Sequence, residues 1–112
     1  MSDLSDEAKD LLVQFQSYQQ QLQNVYIQKE NLKIQEMEIE KALEELENTK
    51  QSSAYKIVGN VMVSKTVDNL KKDLSDNKED LTIKTRSMDT MENKLREKLK
   101  DLQNKLKNVI KE

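Results

Sequence analysis

A covalent nucleophile in this chain would have to be a serine activated by lysine or aspartate, because histidine and cysteine are both absent. No serine stands in a glycine-framed turn that would hold it beside a base. Carboxylate pairs such as Glu44-Glu45 and Glu79-Asp80 are plentiful. Acid–base work needs a carboxylate set apart from water, and charge runs of this kind are solvated helix faces. The run Asp76-Asn77-Lys78-Glu79-Asp80 lacks the glycine turn and ligand spacing of a calcium loop. With one glycine in the whole chain, no glycine-rich phosphate cradle can form. Neither catalysis nor a bound metal or cofactor is expected. What remains is non-covalent chemistry: burial of apolar stripes, strand pairing and ion pairing.

The elements that position those groups follow from composition and period. Apolar residues make up 35% of the 112 residues and charged ones 36%, too little apolar bulk for a compact globule to offset chain entropy. Either the chain is a disordered polyelectrolyte or it is helical with a narrow apolar seam. The absence of proline beside a lone glycine favours long uninterrupted helix, since proline costs a helix interior about 3 kcal/mol and glycine about 1.

Steps of seven from Leu4 meet Leu11, Tyr18, Val25, Leu32, Ile39 and Leu46, all apolar. The companion positions are Ala8, Phe15, Leu22, Lys29, Glu36 and Leu43. This is a heptad seam, and it predicts a first helix from about Asp6 to Asn48. Ser5 before Asp6, Glu7 and Asp10 suits the helix start, where carboxylates meet the positive end of the dipole. Steps of seven from Val67 meet Leu74, Leu81, Met88, Leu95, Leu102 and Val109, which predicts a second helix from about Val67 to Lys111. Its companions, counted from Leu70, are Asn77, Lys84, Met91, Lys98 and Lys105. Each helix spans roughly 60–70 Å at 1.5 Å per residue, and neither seam is wide enough to be stable alone. An antiparallel pairing that sets Leu46 on Val67, Ile39 on Leu74, Leu32 on Leu81 and Leu4 on Val109 makes every layer of the main series apolar. The companion layers are mixed: Lys29 faces Lys84, Phe15 faces Lys98 and Ala8 faces Lys105, so this register predicts a seam that thins toward the free ends. A shift of one heptad fits nearly as well.

Between the helices the period changes to two. Ala54-Tyr55-Lys56-Ile57-Val58 and Val61-Met62-Val63-Ser64 flank Gly59-Asn60, and glycine first in a two-residue loop suits a type II′ hairpin turn. Two such strands are marginal by themselves. Their open edges, rich in Tyr55, Ile57, Val58, Val61, Met62 and Val63, predict an assembly surface. Charge is divided between the halves. Residues 1–53 hold eleven acidic and five basic groups, and residues 54–112 hold ten and fourteen, so the halves attract weakly. No basic stripe is left for nucleic acid. No run is long and apolar enough to read as a signal peptide or a membrane span, and the expected setting is soluble and cytoplasmic. Near the free ends Leu12, Val13, Leu99, Leu106 and Ile110 lie off the predicted seam. They either widen the core or form an exposed apolar patch for partner proteins.

Two long helices joined at mid-chain by Tyr55-Lys56-Ile57-Val58-Gly59-Asn60-Val61-Met62-Val63 resemble the β class of prefoldin subunits, which carries one hairpin where the α class carries two. The resemblance covers almost the whole chain. It implies a mainly α fold, a single prefoldin-like domain over 1–112 in which a long antiparallel coiled coil bends at a short β-hairpin. It also implies an archaeal-type hexamer of two α and four β subunits, with the hairpins joined in a β-barrel body and the coiled coils projecting from it. Such an assembly holds unfolded proteins without ATP and passes them to a group II chaperonin. On that reading Tyr55, Ile57, Val58, Gly59, Val61, Met62 and Val63 carry oligomerisation. Leu4, Ala8, Leu11, Leu12, Phe15, Leu102, Leu106, Val109 and Ile110 carry client contact, and the basic stretch from Lys94 to Lys111 offers a second docking face. Tail-mediated contacts known in longer members are not expected. The alternative is a structural spacer or oligomerisation module without chaperone activity.

Overall fold

A computed structural model of the chain describes residues 5–111; Leu4, counted above in the seam and among the client contacts, lies outside them. The element order is α1 (Asp6–Asn48), β1 (Ser53–Val58), β2 (Val61–Thr66) and α2 (Val67–Lys111). The helices are paired antiparallel along a heptad seam, with the hairpin at the bend between them. The described chain divides into two units. One holds residues up to Glu30 together with those from Arg86 onward, and the other holds Asn31–Thr85.

Each helix begins where a side chain can satisfy loose backbone groups. At the start of α1, Ser5 accepts a hydrogen bond from the Ala8 amide at 3.1 Å, and its carbonyl accepts the Lys9 amide at 3.0 Å. Asp6 and Glu7 fill the first turn, complementing the dipole. At the other junction Thr66 has two roles. It ends β2, and its hydroxyl accepts the Asn69 amide at 3.2 Å, which makes it the cap of α2. The Val67 amide donates to the Ser52 carbonyl at 2.9 Å, tying the start of α2 to the entry of the hairpin. No residue is lost to a loop between strand and helix.

In the unit of the chain ends, Ala8, Leu11, Val25, Leu95, Leu102 and Leu106 are buried. Leu11, Leu102 and Leu106 form one cluster, against which Leu12, Phe15, Tyr18 and Val109 pack. The expected thinning of the seam is therefore overturned, for Ala8 is only 1% exposed and Phe15 meets leucines rather than Lys98. In the unit that contains the hairpin, Val67, Leu70 and Leu81 are buried.

The inward face of α2 and the pairing of the helices both differ from the heptad expectation. The inward companions of the α2 main series are Lys78, Thr85, Glu92, Leu99 and Leu106, whereas Asn77, Lys84, Met91, Lys98 and Lys105 face solvent. The cause is local: the seam steps from Leu70 to Leu74 to Lys78 in two successive strides of four, so Val67 to Lys78 is an eleven-residue repeat that locally unwinds the supercoil. Leu99 and Leu106 thus belong to the seam itself. The register is also displaced by roughly one helical turn. Glu40 meets Lys78 at 3.4 Å and Glu47 meets Lys71 at 3.3 Å, where the expected pairing would have set them beside Asp73 and Thr66. Lys29 meets Asp89 and Glu92 instead of Lys84.

Candidate functional site: an exposed hairpin and an ion-paired seam

The hairpin pairs Val58 with Val61, Ile57 with Met62, Lys56 with Val63 and Tyr55 with Ser64. Gly59 has φ of +60°, and no other described residue has positive φ, so the loop has the type II′ character expected from its sequence. Opposed residues share a face. One face therefore carries Tyr55, Ile57 and Met62, and the other carries Val58, Val61 and Val63. All six are exposed, Ile57 at 72%. The sheet has only two strands, so each strand also keeps one edge of unpaired N–H and C=O groups. An apolar ribbon open on both faces and both edges can bury neither its side chains nor its backbone within its own chain. Strand addition by a partner satisfies both.

Only the base of the hairpin is anchored. Ala54 and Lys65, paired across the ladder, are half-buried, and Lys65 bridges to Asp73 of α2 at 3.1 Å. Beside this base lies an apolar groove lined by Ala42 and Leu46 of α1, Ala54 and Tyr55 of β1, and Leu70 and Leu74 of α2. Nothing in the one-dimensional pattern marks this groove, because its walls come from three elements.

The residues read as client contacts are split by the structure. Ala8, Leu11, Leu102 and Leu106 are buried in the seam, Ala8 because it no longer faces Lys105 and Leu106 because the stride in α2 turns it inward. Leu12, Phe15 and Val109 are half-buried against them. Ile110 is 59% exposed, and so is Val13 at 65%. Ile110 also lines a shallow groove with Gln103, Leu106 and Lys107.

Farther along the same unit, charge occupies the seam. The Lys29 ammonium donates to Glu92 at 2.8 Å and lies 2.7 Å from Asp89. Arg96 bridges to Glu92 at 3.1 Å, donates to the Tyr26 hydroxyl and sits 5.4 Å over the Tyr26 ring. Lys98 lies 5.1 Å over the ring of Tyr18. The bonds to Asp89, then to Glu92, raise the Lys29 ammonium well above the ordinary lysine range. Those from Lys29, then Arg96, hold the Glu92 carboxyl below its usual value against the opposing effect of partial burial. Among the described residues no group of carboxylates could hold a metal ion, and no helix is long and apolar enough to cross a membrane.

A coiled-coil pair that presents an unsatisfied hairpin has the features of an assembly subunit. The family model described as a prefoldin subunit matches residues 9–112. The prefoldin subunit beta of Archaeoglobus fulgidus is 34% identical over 111 residues, covering 98% of this chain and 96% of that one. The Thermococcus kodakarensis prefoldin subunit beta is 33% identical, covering 98% and 95%. The crystal structure of the prefoldin beta subunit from Thermococcus strain KS-1 superposes with a TM-score of 0.85 at 34% identity, covering 96% of each chain. The chain belongs to the prefoldin family, in its beta class.

Proposed function

We propose that this chain is a subunit of an ATP-independent holdase, in which two α-class subunits and four copies of this chain join through their hairpins. Prefoldin subunits are chaperone components, and the observation that carries the finer reading is the hairpin ribbon. Tyr55, Ile57 and Met62 on one face and Val58, Val61 and Val63 on the other are exposed while the helix seam is already closed. The groove at the hairpin base adds apolar surface beside the open edges.

Client capture falls to the free ends of the helix pair. With Ala8, Leu11, Leu102 and Leu106 committed to the core, the surface offered there is Ile110, Val13 and the outer sides of Leu12, Phe15 and Val109. Each contact is weak, and several helix pairs around one client raise the effective affinity. Transfer to a group II chaperonin completes the reading, with the basic stretch from Lys94 to Lys111 as a docking face and the cytoplasm as the setting. As a whole, residues 1–112 act as one prefoldin-like domain.

The test is the mass of the complex formed when the chain is mixed with an α-class subunit, measured by multi-angle light scattering. A hexamer of two α and four β is expected. A chain whose mass does not change on mixing is a spacer, and the proposal fails.

A further inference from the structure

We infer that Lys29 is a register-determining residue: its bridge to Asp89 and Glu92 selects the observed pairing of the two helices over a rival displaced by about one turn. The rival is a real competitor. It sets Leu46 on Val67, Ile39 on Leu74, Leu32 on Leu81, Val25 on Met88, Tyr18 on Leu95 and Leu11 on Leu102, apolar on apolar in each case. Burial of apolar surface is non-directional, so it cannot by itself choose between two alignments that both close the seam. Charge can. In the observed alignment Lys29 lies between Asp89 at 2.7 Å and Glu92 at 2.8 Å. In the rival, with the same face of α2 inward, it lies one turn away beside Thr85 and Arg86, loses Glu92 and is repelled by the guanidinium. One residue thus contributes attraction to one alignment and repulsion to the other, which is how coiled coils exclude wrong partners and registers.

The placement supports this role. Lys29 occupies a seam position between Val25 and Leu32, where an apolar residue would pack, and its side chain is only 30% exposed. Glu92 is 17% exposed and is held from its other side by Arg96. Taking charges partly out of water is costly, and such pairs in a seam specify alignment more than they add stability.

The chain has no cysteine, so introduced disulfides report alignment without ambiguity. Tyr18→Cys is combined in the full chain with Leu99→Cys, which reports the observed register, or with Leu95→Cys, which reports the rival. With Lys29 intact, oxidation should join 18 to 99 and leave the 18/95 combination reduced. Lys29→Glu, which repels Asp89 and Glu92 and attracts Arg86, should raise the 18/95 product roughly fivefold or more. Adding Asp89→Lys and Glu92→Lys should return the product to 18/99. Lys29→Met removes the charge without reversing it and should yield both products at undiminished far-UV helicity. Exclusive 18/99 product in Lys29→Met overturns the inference. So does loss of helicity in that variant, since the bridge would then hold the helices together rather than align them.

Discussion

Isoleucine at position 57, 72% exposed on a strand with an open edge, is the side chain whose replacement separates assembly from folding. Lysine there places a charge at the centre of any strand-to-strand contact, yet touches nothing in the seam. Ile57→Lys, or Val61→Lys opposite its neighbour, should abolish the hexamer in gel filtration while leaving the far-UV helix signal unchanged. Leu102 is its counterpart in the seam. At 5% exposure, Leu102→Ala should cost about 2–5 kcal/mol in thermal or urea unfolding. The ion-paired seam has a sign that can be checked. Glu92 is held below its ordinary 4.5, so its contribution is complete above that pH and is lost as acid protonates the folded carboxylate. Lys29 is raised above its ordinary 10.5, so its contribution is complete below that pH and is lost on further alkalinisation. Thermal stability should therefore be level between these limits and fall outside them, and Lys29→Met should shallow both limbs of the profile.

The hairpin and the start of α2 behave as one piece because Thr66 serves both. Its backbone closes the ladder opposite Ser53, and its hydroxyl caps the helix. Thr66→Ala should cost about 1 kcal/mol, read as a lower unfolding midpoint. At the other end of the ladder, Gly59 alone holds the turn in the left-handed region. A methyl group there would meet no neighbour within 4 Å, so the penalty for Gly59→Ala is conformational, about 1–2 kcal/mol. An isolated hairpin is marginal, and in the proposed assembly partner strands complete it. That penalty should appear as weaker association with the α-class subunit, by a factor of roughly five to thirty, measured by titration calorimetry.

A molecule that closes its seam and leaves its hairpin open has divided its apolar surface between two tasks. Seam residues make the helix pair, and ribbon residues stay exposed for the assembly proposed above. The same division governs how client contact must be tested. Leu11 lies in the buried cluster with Leu102 and Leu106, so Leu11→Ser opens the helix pair and cannot report on client contact alone. Ile110→Ser combined with Val13→Ser leaves the cluster intact. In the assembled complex that pair should weaken suppression of aggregation of a denatured test protein, while mass and helicity stay unchanged. Undiminished suppression would move client contact to the helix walls.

The hairpin and the seam of α1 were legible because both rest on local rules. Glycine first in a two-residue loop dictates a turn, and apolar residues at heptad spacing dictate a stripe, whatever the rest of the chain does. Alignment of the helices was not legible, because two pairings both close the main apolar series, and the ion pairs that separate them, Lys29 with Asp89 and Glu92, Glu40 with Lys78 and Glu47 with Lys71, exist only when both helices are in place. The main series of α2 was legible too, with Leu81, Leu95 and Leu102 buried, but its inward companions beyond Leu74 were not, since a counter fixed at seven cannot register the double stride from Leu70 to Lys78. Of the two readings left open for Leu99 and Leu106, that phase change makes them part of the seam, and it leaves Ile110 as an exposed apolar residue beside them. Sequence determined which stripes exist. Tertiary structure decided which residues face one another, because pairing is a property of two helices at once.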